Sequence, residues 1–284
     1  MDAVVTLEAR VAHLRERVDA RLAELAPTPA SPVAAAVRDV LLGPGKRVRP
    51  LLVLLAADAL GGHEDTAVDP ACAVEMVHAA SLVLDDLPCM DDAAERRGRP
   101  ATHRQFGEAA AVLAAVALLN EAYGLIARAP GLAPATRVQI AQVLARAVGL
   151  EGLVSGQADD LGRGAVMPLA SLSDIHERKT GVLFSAAVRI GGLAASAELG
   201  AVEALGDFGA KLGLAFQALD DLEDDDGDEG LATVVSLLGR DGAREVARRR
   251  LEAARAALAR GGDGVQRLGG YVDLMLQPRE AVLG

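Results

Sequence analysis

Proline- and glycine-rich breaks divide this 284-residue chain into segments that are mostly of helix length. The breaks lie at Ala26–Pro32, Gly43–Gly45, Gly61–Pro70, Ala129–Pro134, Gly162–Pro168, Asp225–Gly230 and Gly261–Gly264. Between them, apolar residues recur at steps of three and four, which is the period of an amphipathic helix. No alternating stretch bounded by hairpin turns is present, so strands are not needed. The pattern predicts an all-α fold of about ten helices. We expect a single domain over residues 1–284, because no low-complexity linker separates two halves.

The composition supports packed helices and excludes several classes of function. Aromatic residues make up only 2% of the chain, whereas β-sandwiches and barrels depend on aromatic and β-branched side chains. The same scarcity argues against single-stranded nucleic-acid binding, which uses exposed stacking rings. A net charge of −11 disfavours general affinity for nucleic acid or for anionic membranes. We therefore expect no nucleic-acid partner.

The terminus and the cysteines indicate the compartment. Cys72 and Cys89 are the two cysteines of the chain and build no disulfide framework, which fits a reducing environment. Charged residues throughout the N-terminus argue against a signal peptide. The longest purely apolar run, Ala109 to Leu119, is too short to span a bilayer. We expect a cytoplasmic protein with no transmembrane segment.

The tetrapeptide Leu-Asp-Asp-Leu occurs twice, at residues 84–87 and 219–222, each time after a long apolar segment. The first copy ends a predicted helix from about Ala71 to Asp86, because Pro88 disfavours helix at Leu87. One arc of that helix carries Glu75, His78, Leu82, Asp85 and Asp86. Asp91 and Asp92 follow closely. Carboxylates at a helix C-terminus meet its partial negative charge, so this is an unfavourable place for them unless a cation is near.

The second copy lies in a predicted helix from about Leu205 to Asp224. Its polar stripe consists of Gln217, Asp220, Asp221 and Asp224. Like charges at these spacings destabilise a helix by about 0.2–0.5 kcal/mol per pair, so two such helices indicate a divalent cation between them. Oxygen ligands without a Cys/His set favour Mg²⁺, which keeps waters and bridges to phosphate. An EF-hand is excluded, because counting from Gly227 puts Leu222 and Thr233 at positions that require ligands.

Basic residues near both acidic clusters indicate a phosphate site. One of only three lysines, Lys46, lies in a dense basic stretch at residues 45–50, which lacks the glycine spacing of a Walker loop. Arg96, Arg97 and Arg99 follow the first cluster, and residues 179–181 (Lys-Thr-Gly) lie in a helical segment. Taken alone, each motif has the alternative of a solvated surface, which is our interpretation for the arginine run at residues 248–250. Together they describe a site for a metal-bound diphosphate.

Residues 78–92, followed by Arg-Arg-Gly-Arg-Pro at 96–100, resemble the first aspartate-rich motif of the trans-isoprenyl diphosphate synthase family. Residues 216–224 resemble the second motif, and residues 45–50, 156–160 and 179–181 resemble further blocks in the family's order. The resemblance covers about residues 42–239 and is strongest to bacterial geranylgeranyl diphosphate synthases of carotenoid pathways. It implies an antiparallel helical bundle around a deep central cavity, usually a homodimer.

The resemblance also implies a Mg²⁺-dependent condensation of isopentenyl diphosphate with an allylic diphosphate (dimethylallyl, geranyl or farnesyl). The implied product is geranylgeranyl diphosphate, with a farnesyl-producing enzyme as the alternative. A terpene cyclase needs no isopentenyl site, so a basic set for that substrate speaks against it. A weakly active diphosphate-binding partner subunit is the alternative from another class.

The resemblance assigns roles position by position. The implied Mg²⁺ ligands are Asp85, Asp91, Asp220 and Asp224, with Asp86 and Asp221 in support. Arg96 and Lys179 would contact the allylic diphosphate. Isopentenyl diphosphate would be bound by Lys46, Arg49, His78 and Arg97. Thr180 and Gln217 would flank the reacting carbon, and the small residues Ala80 and Ser81 would form the floor of the tail pocket.

One loop departs from the family pattern. The segment after the second motif is usually longer and carries lysines that close over the allylic diphosphate. Here Asp225–Gly230 is short and acidic, and Leu231 stands where a lysine is expected. This departure motivates the partner-subunit alternative.

Overall fold

Helices make up most of the computed structural model. It describes residues 2–162, 167–223, 232–260, 265, 268–274, 276 and 283, with side chains from residue 7 onward. The first six helices are α1 (Asp2–Leu25), α2 (Pro32–Leu42), α3 (Val48–Ala59), α4 (Glu64–Asp85), α5 (Thr102–Phe106) and α6 (Glu108–Arg128). They are followed by α7 (Pro134–Val148), α8 (Leu153–Leu161), α9 (Leu169–His176), α10 (Val182–Ala194), α11 (Leu199–Glu223) and α12 (Val234–Arg260), which kinks at Gly239. The predicted all-α class is confirmed.

A short hairpin corrects the expectation that strands are not needed. Strands β1 (Glu95–Arg96) and β2 (Arg99–Pro100) pair antiparallel, with Arg96 opposite Arg99. Arg97 and Gly98 form the two-residue turn, and both have positive φ angles, 55° and 73°. Strands of two residues are too short to show alternation, so the sequence pattern could not reveal them.

Helix α4 begins earlier than the break at Gly61–Pro70 predicted, and Pro70 lies inside it. Proline has no N–H for the carbonyl four residues before it, which normally ends a helix. Here two arginines of α1 hold the first turns of α4 through ion pairs, Arg10–Glu64 and Arg21–Asp69, both at 2.7 Å. Tertiary contacts therefore override the local signal. The predicted C-terminal end is confirmed, since α4 ends at Asp85.

Helix α4 is the central element of the core and packs against α1, α3, α6 and α10. Its buried residues run from Ala67 to Val83 and are mostly small, which lets neighbouring helices approach closely. Helix α11 packs against α10 and α12. The C-terminal ends of α4 and α11 carry the two acidic clusters.

Within the part of the chain that the structure describes, two helices, α4 and α6, are long and apolar enough to cross a membrane by length and composition. In α4, 78% of the apolar window is buried inside the protein, as in the core helix of a soluble protein; in α6 the share is 44%. The side chains of Val112, Leu113 and Val116 are exposed on α6. Length and composition alone do not distinguish a membrane-spanning helix from the core helix of a soluble protein.

The arginine run at residues 248–250 is only partly the solvated face that we predicted. Arg248 and Arg249 are exposed, but Arg250 is half-buried. Its guanidinium donates to Ser173 Oγ at 2.8 Å and to the Leu214 carbonyl at 3.1 Å. The prediction is wrong for Arg250, which joins α12 to α9 and α11.

Candidate active site

A cavity of about 820 Å³ opens between the loop before α3, the end of α4, the segment after α9 and the end of α11. Binding pockets for small molecules are typically about 300–1,000 Å³, so this one has room for an extended ligand. Most of the predicted site residues line it: Lys46, Arg49, His78, Ser81, Asp85, Asp91, Arg96, Arg97, Lys179, Thr180, Gln217 and Asp220. The structure thus brings residues from both acidic clusters into one cavity.

Three other predicted residues are off this cavity wall. Asp86, Ala80 and Asp221 are not among the residues that line this cavity. Asp224, the loop at residues 225–230 and Leu231 lie outside the described residues. Ala80 is fully buried in the core, whereas Ser81 is half-buried on the cavity wall and donates its hydroxyl to the His78 carbonyl at 2.9 Å.

Asp86 lies off the cavity wall and is only 2% exposed. Its carboxylate accepts from Nε of Arg96 at 3.0 Å and also from Nη2 of the same guanidinium. A buried carboxylate needs such a charged partner. The structure therefore pairs Asp86 with Arg96, two residues that were predicted for the same site in different roles.

Asp85 and Asp91 carry negative charge that the protein only partly compensates. The Asp91 N–H donates to the Asp85 carbonyl at 2.9 Å, which holds the two residues together. Burial raises the pKa of Asp85 to about 6. Repulsion from Asp91 and Asp86 also raises this pKa, whereas the attraction of Lys179 lowers it. Burial is also the main cause that raises the pKa of Asp91. Such a cluster fits a bound cation.

The raised pKa of Asp85 gives a stability prediction for the metal-free protein. Because the pKa is higher in the folded chain than the ordinary 3.8, the carboxyl destabilises the fold increasingly as pH rises from about 4 to 6, and fully above that. Asp85→Asn should therefore raise the thermal unfolding midpoint at pH 7.5 and raise it less at pH 5. Thermal unfolding in the presence of a chelator measures both. Asp92→Asn is the control, since exposed Asp92 pairs with Arg104; an equal gain at both pH values for Asp85→Asn would contradict the prediction.

A π-helical turn, Glu177–Gly181, joins α9 to α10 and carries Lys179 and Thr180. Such turns are frequent at functional sites. The Lys179 ammonium pairs with Asp160 of α8 at 2.6 Å. Gly156 lets α8 approach the π-helical turn closely, because a Cβ there would lie 2.6 Å from the backbone nitrogen of Lys179. The predicted helical placement of residues 179–181 is confirmed, in a π rather than an α conformation.

A chain of hydrogen bonds connects Thr180 to the start of α12. The Thr180 hydroxyl donates to Gln217 Oε1 at 2.8 Å, and Gln217 Nε2 donates to Asp221 Oδ1 at 3.0 Å. The other oxygen of Asp221 accepts from the Val234 N–H at 3.1 Å. Because the hydroxyl proton of Thr180 is committed to Gln217, the oxygen of Thr180 can present lone pairs to the cavity.

Arg49 and His78 form a contact on the basic side of the cavity. Arg49 Nη1 donates to His78 Nε2 at 3.2 Å, and the guanidinium lies 4.7 Å from the centre of the Phe184 ring. Burial lowers the pKa of Arg49 to about 10, so it stays charged at neutral pH. Burial and then the nearby arginines, Arg49 first, lower the pKa of His78 well below 6.5. His78 is therefore neutral at pH 7, with Nδ1 left to donate.

Several residues that line the cavity were not predicted from the sequence. They include Glu75, Glu95, Leu153, Gln157, Leu183, Phe184, Phe216 and Glu223. Glu75 was on the polar arc of its helix, and Gln157 was in a family block, but neither received a role. Both amide atoms of Gln157 are buried without a hydrogen-bond partner among the described residues. Phe216 opens the second aspartate-rich motif but received no role, and Phe184 carried no signal, because apolar residues on a helix usually indicate core. Their ring centres lie 5.3 Å apart.

Comparison with known proteins is consistent with this geometry. The family model described as polyprenyl synthetase matches residues 31–231. A geranylgeranyl diphosphate synthase from Pseudescherichia vulneris is 46% identical over 255 residues, which cover 85% of this chain and 83% of that protein. A farnesyl diphosphate synthase from Geobacillus stearothermophilus is 40% identical over 230 residues, 75% and 77% of the two chains. The structure of a geranyltransferase from Helicobacter pylori complexed with magnesium and isoprenyl diphosphate superposes with a TM-score of 0.86 and 29% identity, over 95% and 97% of the chains.

Proposed function

Because this chain belongs to the polyprenyl synthetase family, we propose that its cavity condenses isopentenyl diphosphate with an allylic diphosphate, with Mg²⁺, to give geranylgeranyl diphosphate. The chain is a trans-prenyltransferase of isoprenoid biosynthesis, as its relatives are. The observation that carries the proposal is the meeting of two acidic clusters and a basic wall around one cavity.

Mg²⁺ would be held by Asp85, Asp91, Asp220 and Asp224. Among the described residues, no three carboxylate, imidazole or thiol groups converge closely enough to bind a cation by themselves. Mg²⁺ usually retains waters and shares phosphate oxygens, so separated carboxylates that face one cavity fit an ion bound together with the substrate. When bound, the ion neutralises the diphosphate and eases its departure.

The allylic diphosphate would lie against Lys179 and Arg96. Both are cations on the cavity wall, beside the first acidic cluster. As the diphosphate leaves, positive charge develops on the allylic carbon. The oxygens of Thr180 and Gln217, fixed by their mutual hydrogen bond, are neutral groups that can stabilise this charge.

Isopentenyl diphosphate would bind on the basic side formed by Lys46, Arg49, His78 and Arg97. Neutral His78 would donate a hydrogen bond, and the others would supply charge. The isopentenyl double bond would attack the allylic cation, after which a proton is lost. No side chain is assigned as the base, because in the family the released diphosphate takes this proton.

The direct test is to incubate the purified protein with Mg²⁺, isopentenyl diphosphate and each allylic primer in turn, and to measure product chain length. Accumulation of the twenty-carbon product is expected. A fifteen-carbon product alone would favour the farnesyl alternative. Diphosphate binding without condensation would favour the partner-subunit alternative and overturn the proposal.

We also propose that residues 1–284 form one domain in the cytoplasm. The Helicobacter pylori enzyme aligns with 95% of the chain, which supports a single unit. The strongly negative charge and the unpaired cysteines support a reducing aqueous compartment.

A homodimer is the proposed assembly, with α6 facing its copy. Val112, Leu113 and Val116 are exposed side by side on α6, and such an apolar patch usually marks an interface. Val116→Asp should give a monomer in sedimentation experiments, because the charge would be buried without a partner. Leu199→Asp is the control, at an exposed leucine at the start of α11. A dimer in both variants would contradict this interface.

A further inference from the structure

The loop between α2 and α3 is held by arginine side chains that bind its backbone carbonyls. Arg47 Nη2 donates to the carbonyls of Leu41 and Gly43, both at 3.0 Å. Arg97 Nη1 donates to the Pro44 carbonyl at 2.7 Å, and Arg15 Nη2 donates to the Lys46 carbonyl at 2.7 Å. Four carbonyls in and beside one short loop are thus bound by guanidinium groups.

Arg47 also ties this loop to two helices. Its Nε donates to Asp19 of α1 at 2.9 Å, and its Nη1 donates to Glu75 of α4 at 2.8 Å. Arginine has five N–H donors, and four of those of Arg47 are used within the protein. The side chain is 8% exposed. Arg47 therefore has little capacity left to bind a diphosphate, although it lies on the cavity wall.

The backbone at Arg47 is in the left-handed region, with φ 50° and ψ 33°, immediately before α3 begins at Val48. This conformation is unfavourable for a residue with a side chain and persists only where the surroundings hold it. It sets the direction of the chain between Lys46 and Arg49. Both of these residues line the cavity, and both are cations of the proposed isopentenyl diphosphate site.

We propose that Arg47 is a positioning residue for isopentenyl diphosphate. Its guanidinium fixes the loop so that Lys46 and Arg49 approach the same diphosphate, while Arg47 itself does not touch it. The inference rests on the proposed function of that part of the cavity. If this is right, loss of the guanidinium group weakens the binding of isopentenyl diphosphate and leaves the binding of the allylic substrate unchanged.

Two variants separate positioning from stability. Arg47→Lys keeps a positive charge beside Glu75 and Asp19 but cannot bind two carbonyls, since an ammonium lacks the planar fork. Arg47→Met removes both charge and donors. In each, we expect the KM for isopentenyl diphosphate to rise about 10–100-fold, because small displacements of a positioning group have effects of this size. The KM for the allylic substrate should stay within about twofold of the original value, since Lys179 and Arg96 lie on other elements.

Arg21→Met is the matched control. Arg21 of α1 pairs with Asp69 of α4 at 2.7 Å, and Asp69, like Glu75, is a buried carboxylate of α4. This control should lower the thermal midpoint without changing either KM. If the Arg47 variants likewise lower only the thermal midpoint, the proposal is overturned and Arg47 is merely structural.

Arg49→Met distinguishes failure of this inference from failure of the proposed function. If Arg49→Met raises the KM for isopentenyl diphosphate and both Arg47 variants do not, only the role of Arg47 is refuted. If Arg49→Met leaves that KM unchanged, the isopentenyl diphosphate site itself is assigned wrongly, and the positioning role of Arg47 is refuted together with it.

Discussion

Asp85→Ala and Asp220→Ala are each expected to lower turnover by about 10²–10³-fold, the range found when one preorganised charge-stabilising group is removed from an active site. Each change deletes a carboxylate that faces the cavity from one of the two acidic clusters. The helical content should remain, because both residues lie at the C-terminal ends of long helices and are only half-buried.

Steady-state turnover at limiting Mg²⁺, with circular dichroism of the same samples, measures this effect. Two acidic residues off the cavity wall serve as controls. The first control is Asp92→Ala, since Asp92 lies beside the first cluster and pairs with Arg104. The second is Asp207→Ala, since Asp207 lies on α11 and pairs with Lys211 and Arg260. Both controls should keep turnover close to that of the unmodified protein. Near-normal turnover in Asp85→Ala or Asp220→Ala would refute a shared two-cluster site.

Ser81→Phe is expected to change the main product from twenty to fifteen carbons. Ser81 lies one helical turn before Asp85 on the cavity wall, so a ring there would occupy the path of a growing tail. Burial of an added isoprene unit contributes about 0.8 kcal/mol per CH₂-sized group. An open pocket can bury this unit, whereas a pocket blocked by a ring cannot. Chromatography of the labelled product measures its chain length.

Ser81→Ala is the control for size, and its product should stay at twenty carbons. The role expected for Ala80 stays a prediction. Since Ala80 is fully buried and off the cavity wall, Ala80→Phe would overpack the core at a cost of about 1–3 kcal/mol. A folded, active Ser81→Phe enzyme that still makes the twenty-carbon product would mean that another part of the cavity limits the chain.

The fold could be predicted from sequence where local rules act alone. Pro88 correctly predicted the end of α4, because the residue before proline avoids helical geometry. The break predicted at Gly61–Pro70 is shorter in the structure, since α4 already begins at Glu64 and ion pairs with α1 hold its first turns. The β1–β2 hairpin could not be predicted, because two residues per strand carry no periodic signal.

The sequence predicted which residues form the candidate site more completely than it predicted how their side chains are arranged. Helical periodicity indicated that His78 and Asp85 share one face, and both line the cavity. Sequence alone could not show that Asp86 turns to Arg96 or that Asp221 binds Gln217. Adjacent aspartates in identical tetrapeptides look the same until their partners are known.

The sequence by itself determined the helical class, the position of the acidic clusters on helix ends, and the kind of chemistry that they serve. These follow from a period of 3.6 residues and from the charges of side chains, which are local properties. Only the tertiary structure decided which carboxylates face the cavity, why the pKa of Asp85 is raised, and what Arg47 binds. Those depend on burial and on contacts between distant parts of the chain, as between Arg47 and Glu75, or Thr180 and Gln217, which no local pattern encodes.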